Sequence, residues 1–128
     1  MPKWSEYRET ARSRGALAFE LFIVESTLVK SPESAQAILP QHLEYQKAME
    51  LAGKLVLAGP LSDLSGEEMS GGGMIIYRAN SMSEARDIAL NDPMHKSETR
   101  TFTLRRWLVN EGSISISVKL SEQRVLLS

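Results

Sequence analysis

The sequence contains no cysteine. Disulfides, thiolate metal sites and cysteine nucleophiles are therefore excluded. It has only two histidines, His42 and His95, which make no recognisable metal set. No metal and no cofactor are expected. Neither charge is in excess: 15 Lys and Arg stand against 16 Asp and Glu, for a net charge of −1. Both signs are spread along the chain, which gives no general attraction to nucleic acid or to an anionic membrane. No apolar run approaches the length of a membrane span. The N-terminal stretch MPKWSEYRETARSRG is charged and lacks the apolar core of a signal peptide. A cytoplasmic protein is the expectation. Phosphate loops are missing too. Gly71-Gly72-Gly73 precedes a strand and is followed by no Gly-Lys-Ser/Thr. A flexible hairpin loop, mobile enough to act as a lid, is the better reading of it.

What is present is enough for one compact core in 128 residues. Residues 1–15 read as an N-terminal arm with a short helix carrying Trp4, Tyr7 and Ala11. Residues 16–112 read as an α+β domain, and 113–128 as a C-terminal β extension. Ala16–Ser26 is β-rich and apolar on both faces, so both faces should be covered. Glu20 is an odd charge within it. Ser31 is an N-cap with Pro32 at the first helical position. Pro40 interrupts and restarts a main helix that runs to Ala52, with Gly53 as its stop. On that helix His42, Tyr45, Met49 and Ala52 share one stripe. Lys54–Pro60 is a strand, Leu61–Gly73 a loop, and Met74–Ala79 another strand. Ser81-Met82-Ser83-Glu84 is a capping box opening a helix to Leu90, which packs Met82, Ala85, Ile88 and Ala89. Asp92-Pro93 ends it. Thr99–Val109 is a long strand. Ser113–Leu120 alternates polar and apolar residues, as a strand with one wet face does. Gln123–Leu127 can add one more.

The order β-α-β-β-α-β is that of a ferredoxin-like sheet with helices on one face. Two helices leave the first strand's other apolar face bare. A second copy of the chain is the simplest cover, so a homodimer or higher assembly is expected.

Three places can carry chemistry. His42 reads as a general acid or base, because imidazole titrates near neutral pH. At the start of a helix the dipole would favour its neutral form. Position alone fits a partly buried histidine satisfied by a carbonyl somewhat better. Asp92 reads either as a helix-stop turn residue or as the carboxylate that orients His42. His95 reads as solvated. Arg105 and Arg106 point to opposite faces of their strand. One can hold a substrate carboxylate; an ordinary ion pair, with Glu20 as a candidate partner, is the more common alternative.

Several of these residues occur together in a known pattern. His42 and its helix, Gly53-Lys54-Leu55-Val56-Leu57-Ala58-Gly59-Pro60-Leu61, Gly73-Met74-Ile75-Ile76-Tyr77, the Ser-x-x-Glu-Ala helix and Asn91-Asp92-Pro93 resemble the YCII-related (YciI-like) family, over roughly Leu17 to Trp107. That family is similar to muconolactone isomerases and other dimeric α+β-barrel proteins. The resemblance implies a His–Asp catalytic dyad at His42 and Asp92. One class of members removes chloride from a chlorinated hydroxyquinol. Where the family usually has Phe after Asp-Pro, this chain has Met94, which changes the shape of the pocket. Tyr45, Met94 and Arg105 are the candidate substrate contacts. The expected function is a cofactor-independent isomerase or lyase acting on a cyclic or aromatic-derived small molecule. The alternative is a non-catalytic ligand-binding or assembly module of the same fold.

Overall fold

In the computed structural model, which describes all 128 residues, the first strand, β1, starts at Phe19 and runs to Leu28. It starts later than the apolar run because Ala18 has φ +50°, outside the extended region. Phe22, Val24 and Ser26 are buried on one face of β1. Leu21 is buried on the other, beside half-exposed Ile23 and Glu25.

The helix that follows, α2, spans Pro32–Leu51 without a break. Ser31 caps it, its hydroxyl accepting from the Ser34 N–H at 3.1 Å. Pro40 does not restart the helix as the sequence suggested; it sits inside it. Pro40 and Gln36, the residue whose carbonyl loses its N–H partner, are both exposed, so water can satisfy that carbonyl. The helix ends in a Schellman turn. The Gly53 N–H bonds Glu50 O at 3.0 Å, the Lys54 N–H bonds Met49 O at 2.9 Å, and Gly53 takes φ +75°. The inward stripe is His42, Gln46 and Met49 with Tyr45 beside them. Ala52, expected on it, is the exposed C-cap residue.

Strands β2 (Leu55–Ser62) and β3 (Met69–Tyr77) form a hairpin whose turn is Asp63–Glu68. The Asp63 carboxylate makes the turn by accepting from the Ser65 N–H and hydroxyl, at 3.0 and 2.6 Å. These bonds hold the Asp63 carboxyl below its usual range. The three glycines are therefore not a loop or lid. Gly72 and Gly73 are paired inside β3, Gly73 with Ser26 on one side and Pro60 on the other. A Cβ on Gly73 would lie 3.3 Å from Gly59 O, a tight contact with backbone, so close strand approach favours glycine there.

Helix α3 (Met82–Asn91) is capped by Ser81, and a single helical turn, α4 (Pro93–Lys96), follows it at once. Strand β4 covers Arg100–Val109. The sheet order is β2-β3-β1-β4, the ferredoxin-like α+β arrangement, with the helices on one face. Val24 and Ile75 face each other across β1 and β3, and Phe22 faces Tyr77. Val24, Ile75, Tyr77, Ile88 and Ala89 make the core between sheet and helices, with Met49, Leu55, Phe102 and Leu104 packed around it.

The chain divides into two compact units, Glu20–Trp107 and a second one made of Met1–Phe19 with Leu108–Ser128. In the second, helix α1 (Trp4–Ser13) buries Ala11, and the Leu17 N–H bonds Asn110 O at 3.0 Å. Strands β5 (Ile116–Lys119) and β6 (Arg124–Leu127) pair only with each other. β5 is shorter than the alternating pattern suggested, and Ile116 and Val118, on its apolar side, are exposed.

The core assignment is checked by Ile88→Ala. Ile88 is buried against Val24 and Tyr77's cluster, so its truncation should cost about 2–4 kcal/mol, as deletion of a buried aliphatic chain does. Urea unfolding measures it, and an unchanged midpoint would rule the packing out.

Candidate functional site

The site grows from the junction of α3 and α4. Proline at position 93 forces Asp92 out of the α region, to φ −63° and ψ 126°. Asp92 therefore ends one helix and caps the next. Its Oδ1 accepts from the Met94 N–H at 2.9 Å. The side chain is fully buried. From α2, His42 Nδ1 reaches Asp92 Oδ1 and Oδ2 at 2.8 and 2.9 Å, and Gln46 Nε2 reaches Oδ2 at 3.0 Å. His42 and Gln46 are four residues apart, one turn, which is why both meet the same carboxylate.

A carboxylate accepts, so His42 Nδ1 carries a proton and donates it to Asp92. The other ring nitrogen, Nε2, has no partner in the chain, and the His42 side chain is 21% exposed. The expected cause of its neutrality does not apply: His42 is the eleventh residue of α2, and the dipole acts only in the first turn. What orients the imidazole is Asp92.

Gln46 was not singled out in the sequence. It is buried, and its Nε2 also donates to the Tyr77 hydroxyl at 3.1 Å. Burial raises the pKa of Tyr77, and Asp92's charge adds to it. Tyr45 lies beside the pair, but its hydroxyl donates to Ile88 O at 2.6 Å. Burial, and then the Asp92 charge, push its pKa up to about 12, so it holds its proton at neutral pH. Met94 is buried, and what it gives the site is its backbone N–H.

Arg105 is not at this site. It pairs with Glu25, which lies between Val24 and Ser26 in β1 and so points away from the helices. Arg106 takes Glu20, at 3.4 Å, and lies over the Phe22 ring.

His95 is not solvated. It is 6% exposed and packs against Phe102, with ring centroids 4.7 Å apart and planes tilted by 46°. Its Nδ1 bonds Ala89 O at 2.8 Å, and its Nε2 meets Ser26 Oγ at 2.8 Å. A carbonyl only accepts, so Nδ1 carries the proton and the Ser26 hydroxyl donates to Nε2. Arg100 in turn donates from Nε to Ser26 Oγ at 2.8 Å. Burial holds His95 below its ordinary pKa. Burial likewise lowers Arg100, with Asp92's charge opposing. No group of three or more His, Asp or Glu side chains is placed to hold a metal ion. No helix is long and apolar enough to cross a membrane.

Because its folded pKa is depressed, His95 binds fewer protons folded than unfolded. Its stabilising share is complete above the unfolded value of about 6.5 and is lost as pH falls below it. Between pH 7 and 5 the urea midpoint of the wild type should therefore drop further than that of His95→Asn. Equal drops would mean that His95 ionises freely in the fold.

Comparison with known proteins places the chain in a family. The YCII-related domain model matches residues 20–107. Among solved structures, the chain is similar to 5-chloro-2-hydroxyhydroquinone dehydrochlorinase (TftG) from Burkholderia phenoliruptrix AC1100, in complex with 2,5-dihydroxybenzoquinone. The two are 24% identical, with a TM-score of 0.51 over 68% of this chain and 92% of that one. It is also similar to a dimeric ferredoxin-like protein from an uncultured marine organism, at 14% identity and a TM-score of 0.41, over 73% of this chain and 97% of that one. No curated protein matches it. The family's extent coincides with the unit Glu20–Trp107 that holds the sheet, α2, α3 and the His42–Asp92 pair, and the chain belongs to the YCII-related domain family.

Proposed function

We propose that this protein is a cofactor-independent small-molecule enzyme in which His42 and Asp92 form an acid–base dyad. The observation that carries this reading is the buried Asp92 carboxylate holding His42 Nδ1 at 2.8 Å while Nε2 is left without a partner in the chain. In the neutral ring Nε2 has a lone pair. It takes a proton from an acidic C–H or O–H of a cyclic or aromatic-derived substrate, and Asp92 stabilises the imidazolium. An isomerase returns that proton to another carbon. A lyase instead lets the electron pair of the broken C–H bond form a double bond while a leaving group departs with its own pair. The dehydrochlorinase, related in fold, makes a chlorinated hydroxyquinol the first compound to try.

The experiment uses lactones, enols and chlorinated hydroxyquinols in D2O, with proton NMR following C–H exchange and a chloride assay following elimination. Turnover should fall by at least about 100-fold in His42→Gln, the usual share of a general base. Asp92→Asn should be as damaging, because a side-chain amide turned to donate to Nδ1 moves the ring proton to Nε2. Nitrogen-15 shifts of His42 report that tautomer without any substrate. A wild-type ring protonated on Nε2 alone, or turnover indifferent to His42, would exclude the mechanism.

A binding module without turnover is the second reading. It is favoured by one observation: the cavities of about 360 and 230 Å3 in this unit are lined by other residues, not by His42.

We further propose that a second copy of the chain covers the sheet face opposite the helices. There Leu57 and Trp107 are exposed, and with Gly59, Met74 and Ile76 they line the smaller, apolar cavity. Sedimentation equilibrium at micromolar concentration should give twice the chain mass. A well-folded monomer at that concentration would exclude the assembly.

A further inference from the structure

The larger cavity, of about 360 Å3, lies at the small end of the range for small-molecule sites, roughly 300–1,000 Å3. Val29, Leu90 and Phe102 give it apolar walls, and His95, Arg100 and Glu98 give it polar ones. The acid–base mechanism uses none of these residues.

Arg100 is the unusual member. A guanidinium has five N–H donors. Nε bonds Ser26 Oγ, and Nη2 bonds Ser26 O at 3.0 Å and Gly71 O at 2.7 Å. Those three bonds lock the group in place. All three acceptors are neutral, and no carboxylate pairs with it. The two N–H groups of Nη1 have no acceptor in the chain. Asp92's charge reaches Arg100 but makes no ion pair with it, and a half-buried cation without a paired carboxylate is costly. His95 cannot. Its Nδ1–H is fixed on Ala89 O and its Nε2 on the Ser26 hydroxyl, so it stands as a neutral ring. Glu98 lines the cavity too, but its side chain is exposed and makes no ion pair with Arg100.

We infer that this cavity is a second ligand site, one that takes a small organic carboxylate. The anion sits against Arg100 Nη1, and the apolar body of the ligand lies along Phe102, Leu90 and Val29. The contact is a charge-assisted hydrogen bond from a donor already held in position, so little ordering cost attends binding. Glu98, at the edge, opposes the anion by charge and tunes the affinity downward.

Benzoate is the probe, with benzyl alcohol as its uncharged counterpart, added to the nitrogen-15-labelled full chain at low salt. Benzoate should give saturable amide shifts over Glu98–Phe102 and at Leu90, with a millimolar dissociation constant, while benzyl alcohol gives none. Arg100→Gln should weaken benzoate by at least about tenfold, the value of one hydrogen bond to a charged group. Glu98→Gln should tighten it several-fold. Arg100 also ties β1 to β3, so its replacement can disturb the fold. The exposed Glu98 carries no such risk, and its variant decides the matter in that case. Failure of wild type and Glu98→Gln alike to saturate would overturn the site. So would shifts that survive in a folded Arg100→Gln, equal binding of benzyl alcohol, or an affinity unmoved by Glu98→Gln. None of these readouts depends on turnover, so the site and the His42–Asp92 mechanism stand or fall separately.

Discussion

The Asp92 carboxylate is the constraint around which the helix layer is arranged. A fully buried carboxylate is tolerated only if donors satisfy its oxygens. Here the donors come from two places at once. The Met94 N–H belongs to the turn that Asp92 itself starts, while His42 and Gln46 project from one face of α2. The carboxylate therefore fixes α2 against the α3–α4 corner. Pro93 makes this possible by holding Asp92 extended, so that its side chain turns back over the start of α4.

From that point polar groups run through the layer between sheet and helices. Gln46 links Asp92 to the Tyr77 hydroxyl on β3. His95, three residues after Asp92, links Ala89 O on α3 to Ser26 on β1, and Ser26 links to Arg100 on β4. Apolar packing centres on the patch around Val24, Ile75 and Ile88. A structural core of this size would be simpler with aliphatic residues at Gln46, Ser26 and His95. Their burial in hydrogen-bonded networks, complete but for Gln46 Oε1, specifies one arrangement of side chains, and that suits a site which must be held in place.

Much of this was legible in the sequence and some was not, for identifiable reasons. Periodicity and caps located both long helices, because Ser31, Ser81 and Gly53 act locally. The element order carried the sheet topology. Pro40 misled because a proline breaks a helix only where its missing hydrogen bond cannot be replaced, and exposure is a tertiary property. The glycines at 71–73 looked like a loop because glycine permits one; here strand pairing at close range uses them instead. His42 and Asp92 could be named from the chain and from the family pattern, but their contact spans 50 residues and only the fold supplies it. Gln46 carried a readable signal, one turn from His42, yet a glutamine on a helix is usually surface. His95 looked solvated because nothing in the sequence tells that the turn after Pro93 faces inward. Arg105 was a candidate on chemistry alone, and strand alternation with its partner Glu25 puts it on the wrong face.

Gln46 shows how far the carboxylate's demand extends. Its Oε1 is buried with no partner, an arrangement that costs about 1–3 kcal/mol. Rotating the amide would offer Oε1 to the Tyr77 hydroxyl, which can donate, and would satisfy that oxygen. It would also bring that oxygen against Asp92 Oδ2, two acceptors at hydrogen-bond distance, one of them a carboxylate oxygen. A hydrogen bond to an ion outweighs one between neutral groups. The amide therefore keeps Nε2 toward both Asp92 and Tyr77 and leaves its own oxygen bare. The unsatisfied atom is thus a consequence of holding the carboxylate that in turn holds His42.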